Sequence, residues 1–277
     1  MLDAILQFRN KIHPISLNQF NLVLAIWLGV VLNLSFFQQI HHLTPYQGMK
    51  AYLFLAATVV VIIAAYYFIF QLLNWNWTAK PIAIVLLFIG GFAAYAVNSL
   101  GVLITPDQIQ NLMQTDLAEA RDTWSWRLVG WTLVITLLPI IATLMVKIKS
   151  EPVIRQMWKK ILTSVLSLAI VAGLLFVFYV DFAAIFREHH DLKSMISPQN
   201  MISSFTSYYK NKTPKQNLPL IVYGEDAHLI QQVAAPNKPK LMVLVVGETA
   251  RAENFSLNGY AKNTNPELSK QEIINFS

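Results

Sequence analysis

The sequence predicts a polytopic all-α membrane domain of five transmembrane helices, followed by a linker and the start of an α/β domain. Three observations carry that expectation. Charged residues are only 13% of the 277, against 55% hydrophobic, and soluble domains carry about twice that charged share. The charges are also segregated. No Asp, Glu, Lys or Arg falls between Lys11 and Lys50, Lys50 and Lys80, Lys80 and Asp107, Arg127 and Lys147, or Lys160 and Asp181, intervals of 38, 29, 26, 19 and 20 residues. A helix needs about 20 mostly apolar residues to cross the hydrocarbon core. Third, a late apolar run closes on Gly247-Glu248. That is the pattern of a buried strand bringing a carboxylate to its C-terminal edge, where sites assemble in open α/β sheets.

The five spans are expected at about 20–40, 51–73, 81–104, 127–148 and 160–181, within a membrane domain of residues 1–190. The first begins too far in, and is too long, for a cleaved signal peptide, so it reads as a retained signal anchor. Aromatic residues sit at span ends in the manner of an interfacial belt: Trp75 and Trp77, Trp124 and Trp126, and Tyr179 with Phe182 and Phe186. Gly90-Gly91 and Pro139 are the notable breakers, and helix packing accounts for them. The apolar centres hold no ionisable Asp, Glu, Lys or Arg, and no internal repeat is visible. A transporter is expected to show both.

Lysine and arginine set the expected orientation. With the N-terminus inside, Arg9, Lys11, Lys80, Lys147, Lys149, Arg155, Lys159 and Lys160 face the cytoplasm, against Lys50, Arg121 and Arg127 in the short outer loops. The positive-inside rule then puts the N-terminus in the cytoplasm and everything after Val180 outside. The net charge of +6 is mostly this bias. The basic residues flank apolar spans and line no polar face, so no nucleic acid partner is expected. The chain has no cysteine, which leaves no disulfide to help it fold.

In the loop before the fourth span, Thr105-Pro106-Asp107 reads as a helix start. Along that helix Asn111, Thr115 and Glu119 fall at i, i+4 and i+8, drifting only about 80° in all, so they share one face. A carboxyl, a hydroxyl and an amide just outside the bilayer suit a cationic lipid head group, with the carboxylate toward the ammonium. On spacing alone, a solvated polar face is the more economical reading. The histidines, including the pairs His41-His42 and His189-His190, lack metal-motif spacing and read as surface or interfacial.

Residues 191–239 are expected to be a linker. Its charge-poor, serine- and aromatic-rich stretch 195–209 suits an interfacial helix, and Lys, Pro and Asn cluster at 210–215 and 236–240. From 240 to 277 comes the start of the α/β domain. The roughly thirty residues after the strand pattern are too few to build its sheet. The sequence is therefore expected to hold a whole membrane anchor and only the opening of a catalytic domain.

Three motifs sharpen that opening: Val245-Val-Gly-Glu-Thr-Ala-Arg251, Asn254-Phe-Ser-Leu-Asn-Gly-Tyr260 and Thr264-Asn-Pro266. Together they resemble the beginning of the catalytic domain of the lipid A phosphoethanolamine transferases, in the alkaline phosphatase and sulfatase superfamily. Gln110-Asn-Leu-Met-Gln-Thr-Asp116 with Glu119, Phe186-Arg-Glu-His189 and Gly224-Glu-Asp-Ala227 extend the resemblance back along the chain. It implies a ping-pong transfer. A threonine activated at zinc attacks the phosphate of phosphatidylethanolamine, releases diacylglycerol, and passes phosphoethanolamine to a phosphate on lipid A. Zinc suits this by lowering the nucleophile's pKa and stabilising charge on the phosphoryl oxygens.

The resemblance further implies a sulfatase-like domain after the linker, and a setting in the bacterial cell inner membrane with the C-terminal part periplasmic. It also implies lipopolysaccharide modification of the kind that gives polymyxin resistance. It assigns Glu248 to the metal and Asn111, Thr115 and Glu119 to the phosphoethanolamine site. The nucleophilic threonine is expected beyond Ser277, so Thr249 is not assigned that role, and no catalytic residue is expected within the 277. One carboxylate does not hold a catalytic zinc, which takes three or more protein ligands. The 277 residues alone are therefore expected to be inactive and not to bind zinc. The alternatives are a phosphoglycerol-type transferase of the same superfamily, or a non-catalytic lipid-binding scaffold or transporter remnant.

Overall fold

The computed structural model describes residues 13–116, 121, 123–212, 243–245, 247 and 250–275. The chain divides into two compact units, Met1–Leu218 and Pro219–Ser277, and each is described by itself.

In the first unit, among the described residues, five helices are long and apolar enough to cross a membrane: α1 (Leu17–Leu43), α2 (Met49–Leu73), α3 (Ala79–Leu100), α5 (Trp126–Met145) and α6 (Val153–Val177). A short helix α4 (Pro106–Gln114) precedes α5. After α6 come α7 (Tyr179–Glu188), a 3₁₀ segment (His190–Met195) and α8 (Gln199–Lys212). In sequence of contact the helices pack as α6, α2, α1, α3, α5, with α1 in the middle. The apolar window of α1 is 56% buried, whereas those of α5 and α6 are 11% buried. The outer two therefore turn most of their apolar surface to lipid, as helices that hydrogen-bond internally can.

The local chemistry explains most boundaries. Ser16 opens α1 with a capping box: its hydroxyl accepts from Gln19 N (3.3 Å) and its own N–H donates to Gln19 Oε1 (2.9 Å). The third span was expected to reach 104 but ends at Leu100, because Gly101 takes the left-handed conformation (φ 68°) that stops a helix. The fourth was expected to reach 148 and stops at Met145. Ile15 N there donates to Lys147 O (2.9 Å) and Lys149 N to Ile15 O (2.8 Å), so extended backbone replaces the helix. The fifth was expected from 160 and begins at Val153, directly after Pro152, whose fixed φ suits a helix start. These contacts put the chain before α1 and the chain after α5 on one side of the bundle, as four crossings require.

Glycines mark the helix crossings. A Cβ on Gly29 would meet Ile62 and Tyr66 of α2 at 3.2 and 3.3 Å. One on Gly90 would meet Leu32 of α1 at 2.8 Å, and one on Gly91 would collide with the Thr136 hydroxyl of α5. Small residues at such points let helices approach closely where lipid offers no hydrophobic drive. The Trp131 indole N–H donates to Gly91 O (2.9 Å) at the same crossing. Within α5 the helix widens to a π-helical run, Thr132–Leu137, which ends two residues before Pro139, whose missing N–H breaks the regular ladder.

In the second unit, Val243, Leu244 and Val245 are exposed and form no strand, which departs from the buried-strand reading of that run. A strand needs ladder partners, and the described residues supply none. The Asn-Phe-Ser-Leu-Asn-Gly-Tyr motif folds on itself instead. Thr264 Oγ1 donates to Asn254 O (2.6 Å) and accepts from Ser256 N (2.9 Å). Asn258 Nδ2 donates to Ala252 O (2.9 Å), and Gly259 closes the turn at φ 94°.

Candidate substrate-binding site

The helix that carries two of the sequence-nominated residues is α4. Thr105 caps it, accepting from Gln108 N (3.3 Å), and Pro106 and Asp107 occupy its first turn. Ile109, 2% exposed, pins it to a cluster of Ala93, Val97 and Ile104, against which Met201 and Tyr208 of α8 pack. Two hydrogen bonds complete the seat: Ile104 N donates to Ser194 O (3.2 Å), and Ser204 Oγ donates to Ile104 O (2.8 Å). A helix does form over most of the expected stretch 195–209: it is α8, Gln199–Lys212, which packs on α3 and α4.

The helix expected to carry Asn111 and Thr115 on one face does not continue through Thr115. The helix stops at Gln114, and Thr115 takes an extended ψ of 128° as its C-cap. Thr115 N and Oγ1 both donate to Asn111 O, at 2.9 and 2.8 Å. A side chain that satisfies the last free carbonyls ends a helix as well as continuing one, which i, i+4 spacing does not distinguish. The structure therefore brings Asn111 and Thr115 together at a helix end, with the Asn111 amide exposed. Glu119 and Glu248 lie outside the described residues. Among the described residues no three His, Cys, Asp or Glu side chains converge as a metal site would require.

Sequence reasoning missed the polar residues that hold this region in place. Asn33, 1% exposed, sits where α1 narrows to a 3₁₀ turn (Val31–Asn33). Its Nδ2 donates to Leu28 O (2.8 Å), Gly29 O (3.2 Å) and Ser197 O (3.0 Å), and its Oδ1 accepts from Ser197 N (2.7 Å). Tyr66 of α2 donates a second hydrogen bond to Ser197 O (3.0 Å), and Asn200 Nδ2 donates to Ser197 Oγ (3.1 Å) and Ser194 O (3.0 Å). From α3, Asn98 accepts from Ser35 N (2.8 Å) and donates to Leu32 O (3.0 Å) and Ala94 O (2.8 Å). Non-helical backbone is tolerated among membrane helices only where protein satisfies it, and these side chains do so for Ser197. The available signal was uncharged polar residues inside the apolar runs. On the same side of the bundle, Tyr46 donates to Asp181 Oδ2 (2.9 Å), tying the α1–α2 loop to α7. That hydrogen bond, with burial and the nearby carboxylate adding to it, raises the Tyr46 phenol above its usual range.

Five apolar helices, with an irregular segment docked into them through buried amides, define an integral multi-pass membrane protein. Comparison with known proteins narrows this. Residues 61–213 match the family described as phosphoethanolamine transferase EptA/EptB, and the chain belongs to that family. It is 33% identical over 264 residues to the phosphoethanolamine transferase EptA of Escherichia coli (strain K12), a match spanning 92% of this chain and 47% of that relative. It is 31% identical over 262 residues to the phosphatidylethanolamine transferase Mcr-1 of Escherichia coli, spanning 91% and 47%. It also resembles the solved integral membrane lipooligosaccharide phosphoethanolamine transferase A (EptA) from Neisseria meningitidis. That structure matches with a TM-score of 0.77 at 27% identity, over 91% of this chain and 46% of the other. The chain spans about half the length of the curated relatives it matches.

Proposed function

We propose that this chain serves as the membrane domain of a phosphoethanolamine transferase. It holds phosphatidylethanolamine at the outer membrane face, so that the head group can be passed to a phosphate of lipid A. The observation that carries the reading is α4, a helix fixed to the bundle outside the spans with Asn111 and Thr115 at its end, in a chain of this family. The Asn111 amide has N–H donors for a phosphate oxygen. The Thr115 proton already goes to Asn111 O, so its hydroxyl offers lone pairs, which suit the ammonium. Glu119 adds the carboxylate that the ammonium needs.

In this reading the protein lies in the bacterial inner membrane, with the chain before α1 and after α5 cytoplasmic and α4 periplasmic. Residues 191–239 link to a sulfatase-like domain that begins near 240. Glu248 contributes one ligand to its zinc, whose chemistry is to activate a threonine nucleophile and stabilise phosphoryl charge. The 277 residues alone do not transfer phosphoethanolamine. Phosphoethanolamine-modified lipid A made by this polypeptide, in a strain lacking other transferases, would overturn that and make Thr249 the first residue to replace.

The binding step is tested by native mass spectrometry of the 277-residue chain with phosphatidylethanolamine and phosphatidylcholine, which share a phosphate but differ in ammonium N–H donors. The chain should retain phosphatidylethanolamine preferentially. Glu119→Ala should abolish the preference, and Asn111→Ala should weaken retention of both lipids. Undiminished preference in Glu119→Ala would remove the carboxylate from the site.

A further inference from the structure

The opposite face of the bundle carries a buried cation beside an open groove. At the end of α2 and the start of α6 lies a groove of about 310 Å³ that includes Gln71, Trp75, Lys160 and Ser164. Lys160 is only 7% exposed. Its ammonium donates to Asn74 O (2.9 Å), at the C-cap of α2, and sits 3.9 Å from the centre of the Trp75 ring. A helix C-terminus and an indole face both favour a cation. Neither carries a formal negative charge, and among the described residues no carboxylate forms an ion pair with Lys160. A buried cation without a counter-ion is costly.

The rest of the groove says what supplies the counter-ion. Its rim is Leu72, Ile161 and Val165, each more than half exposed, an apolar surface on helices that face lipid. Close to it along the chain are Lys149, Arg155 and Lys159. Glu151, the acidic residue among them, is taken by Lys159, with Nζ–O distances of 2.6 and 2.8 Å. A Lys–Trp pair at a membrane–water boundary, an apolar track beside it and an excess of positive charge fit one occupant. We propose that this groove binds a phospholipid of net negative charge. Its phosphate is held by Lys160 with the Ser164 hydroxyl, and an acyl chain lies along Leu72, Ile161 and Val165. Basic side chains at this depth select anionic over zwitterionic lipid. The site lies across the membrane from α4 and does not rest on the transfer reading.

The test is native mass spectrometry of the 277-residue chain carrying Asn111→Ala, so that lipid held at α4 does not enter the comparison, released from nanodiscs of equal phosphatidylglycerol and phosphatidylethanolamine. The expected result is retained phosphatidylglycerol in excess over phosphatidylethanolamine. In Lys160→Gln, which keeps a donor for Asn74 O but loses the charge, that excess should fall about five-fold, the weight of one basic residue at an anionic surface. Ser164→Leu fills the groove without touching the Asn74 contact. It should lower the excess as well, and it decides the matter if Lys160→Gln does not give a monodisperse, helical protein. Inorganic phosphate should not displace the lipid. Equal retention of the two lipids, a Ser164→Leu chain that holds phosphatidylglycerol as the parent does, or displacement by phosphate would each overturn the proposal.

Discussion

Replacing Asn33 with leucine removes its amide while keeping the branched outline of the side chain. In the parent, the Asn33 amide satisfies both the N–H and the C=O of Ser197, at 2.7 and 3.0 Å. Ser197 is fully buried. After Asn33→Leu the Ser197 carbonyl still accepts from Tyr66, but its N–H has no partner. A stranded buried donor costs about 1–3 kcal/mol. Interhelical hydrogen bonds in membranes average only about 0.6 kcal/mol when alternatives can form. Here the neighbours of Ser197 are Pro198, without an N–H, and the close-packed Gly90 crossing, so the upper range applies. About 2 kcal/mol is expected, a roughly thirty-fold rise in the opening of the 190–212 segment. The chain contains no cysteine, so a single Met201→Cys in the α8 interface is a clean reporter. When opening is fast relative to alkylation, the labelling rate follows the opening equilibrium. Asn33→Leu should speed labelling roughly thirty-fold, and adding Tyr66→Phe should increase it again by stranding the carbonyl. Labelling within a factor of about two of the parent would show that the amide does not hold the segment.

Gly91→Ala forces a Cβ into the Thr136 hydroxyl, and overpacking of this kind costs about 1–3 kcal/mol. Thermal dissociation should begin at lower temperature, and the double variant with Thr136→Ala should recover most of the loss. Lys159 holds the Glu151 carboxyl below the usual carboxylate range, with Arg155 and Lys149 adding to the effect. The resulting stability is present above the ordinary glutamate pKa of about 4.3 and is lost as pH falls through the lower folded value. Melting curves of the parent and Glu151→Gln should therefore differ near neutrality and converge in acid; a difference that persists at low pH would exclude the ion pair as its source. Export-dependent reporters fused after Tyr208 should be active and those after Ser150 inactive, with the reverse pattern inverting the orientation.

The spans were legible because hydrocarbon excludes charge over a whole crossing, so a composition test alone locates them. Their ends were less so. Gly101 stops α3 inside an interval that a charge count treats as uniform, and α6 starts after Pro152 in a stretch that Arg155, Lys159 and Lys160 exclude from such a count. Asn33, Tyr66 and Asn98 were invisible to the same test, since uncharged polar side chains do not interrupt an apolar run. The partner of Asn33 is also 164 residues away, beyond the reach of any periodicity. In the candidate site, spacing identified Asn111 and Thr115 as neighbours but not that Thr115 terminates the helix. The Asn254–Tyr260 motif was legible as a pattern, while its meaning as a self-bonded loop required Thr264 and its contacts with Asn254 and Ser256.

The buried amides and α4 form one mechanical unit. Asn33 and Tyr66 fix Ser197, Ser197 and Asn200 fix the start of α8, and α8 fixes Ile104 and Ile109, which set where α4 presents Asn111. Each link is a direct contact between rigid elements, the kind of chain through which a remote substitution reaches a site. Asn33→Leu should accordingly weaken phosphatidylethanolamine retention although Asn33 lies in α1, far along the chain from Asn111. Lys160→Gln, at the other membrane face and outside this chain of contacts, should leave that retention unchanged. If the two variants affected it equally, general loosening of the bundle would explain both. A loss confined to Asn33→Leu would mean that the segment leaving α6 positions α4 for the lipid.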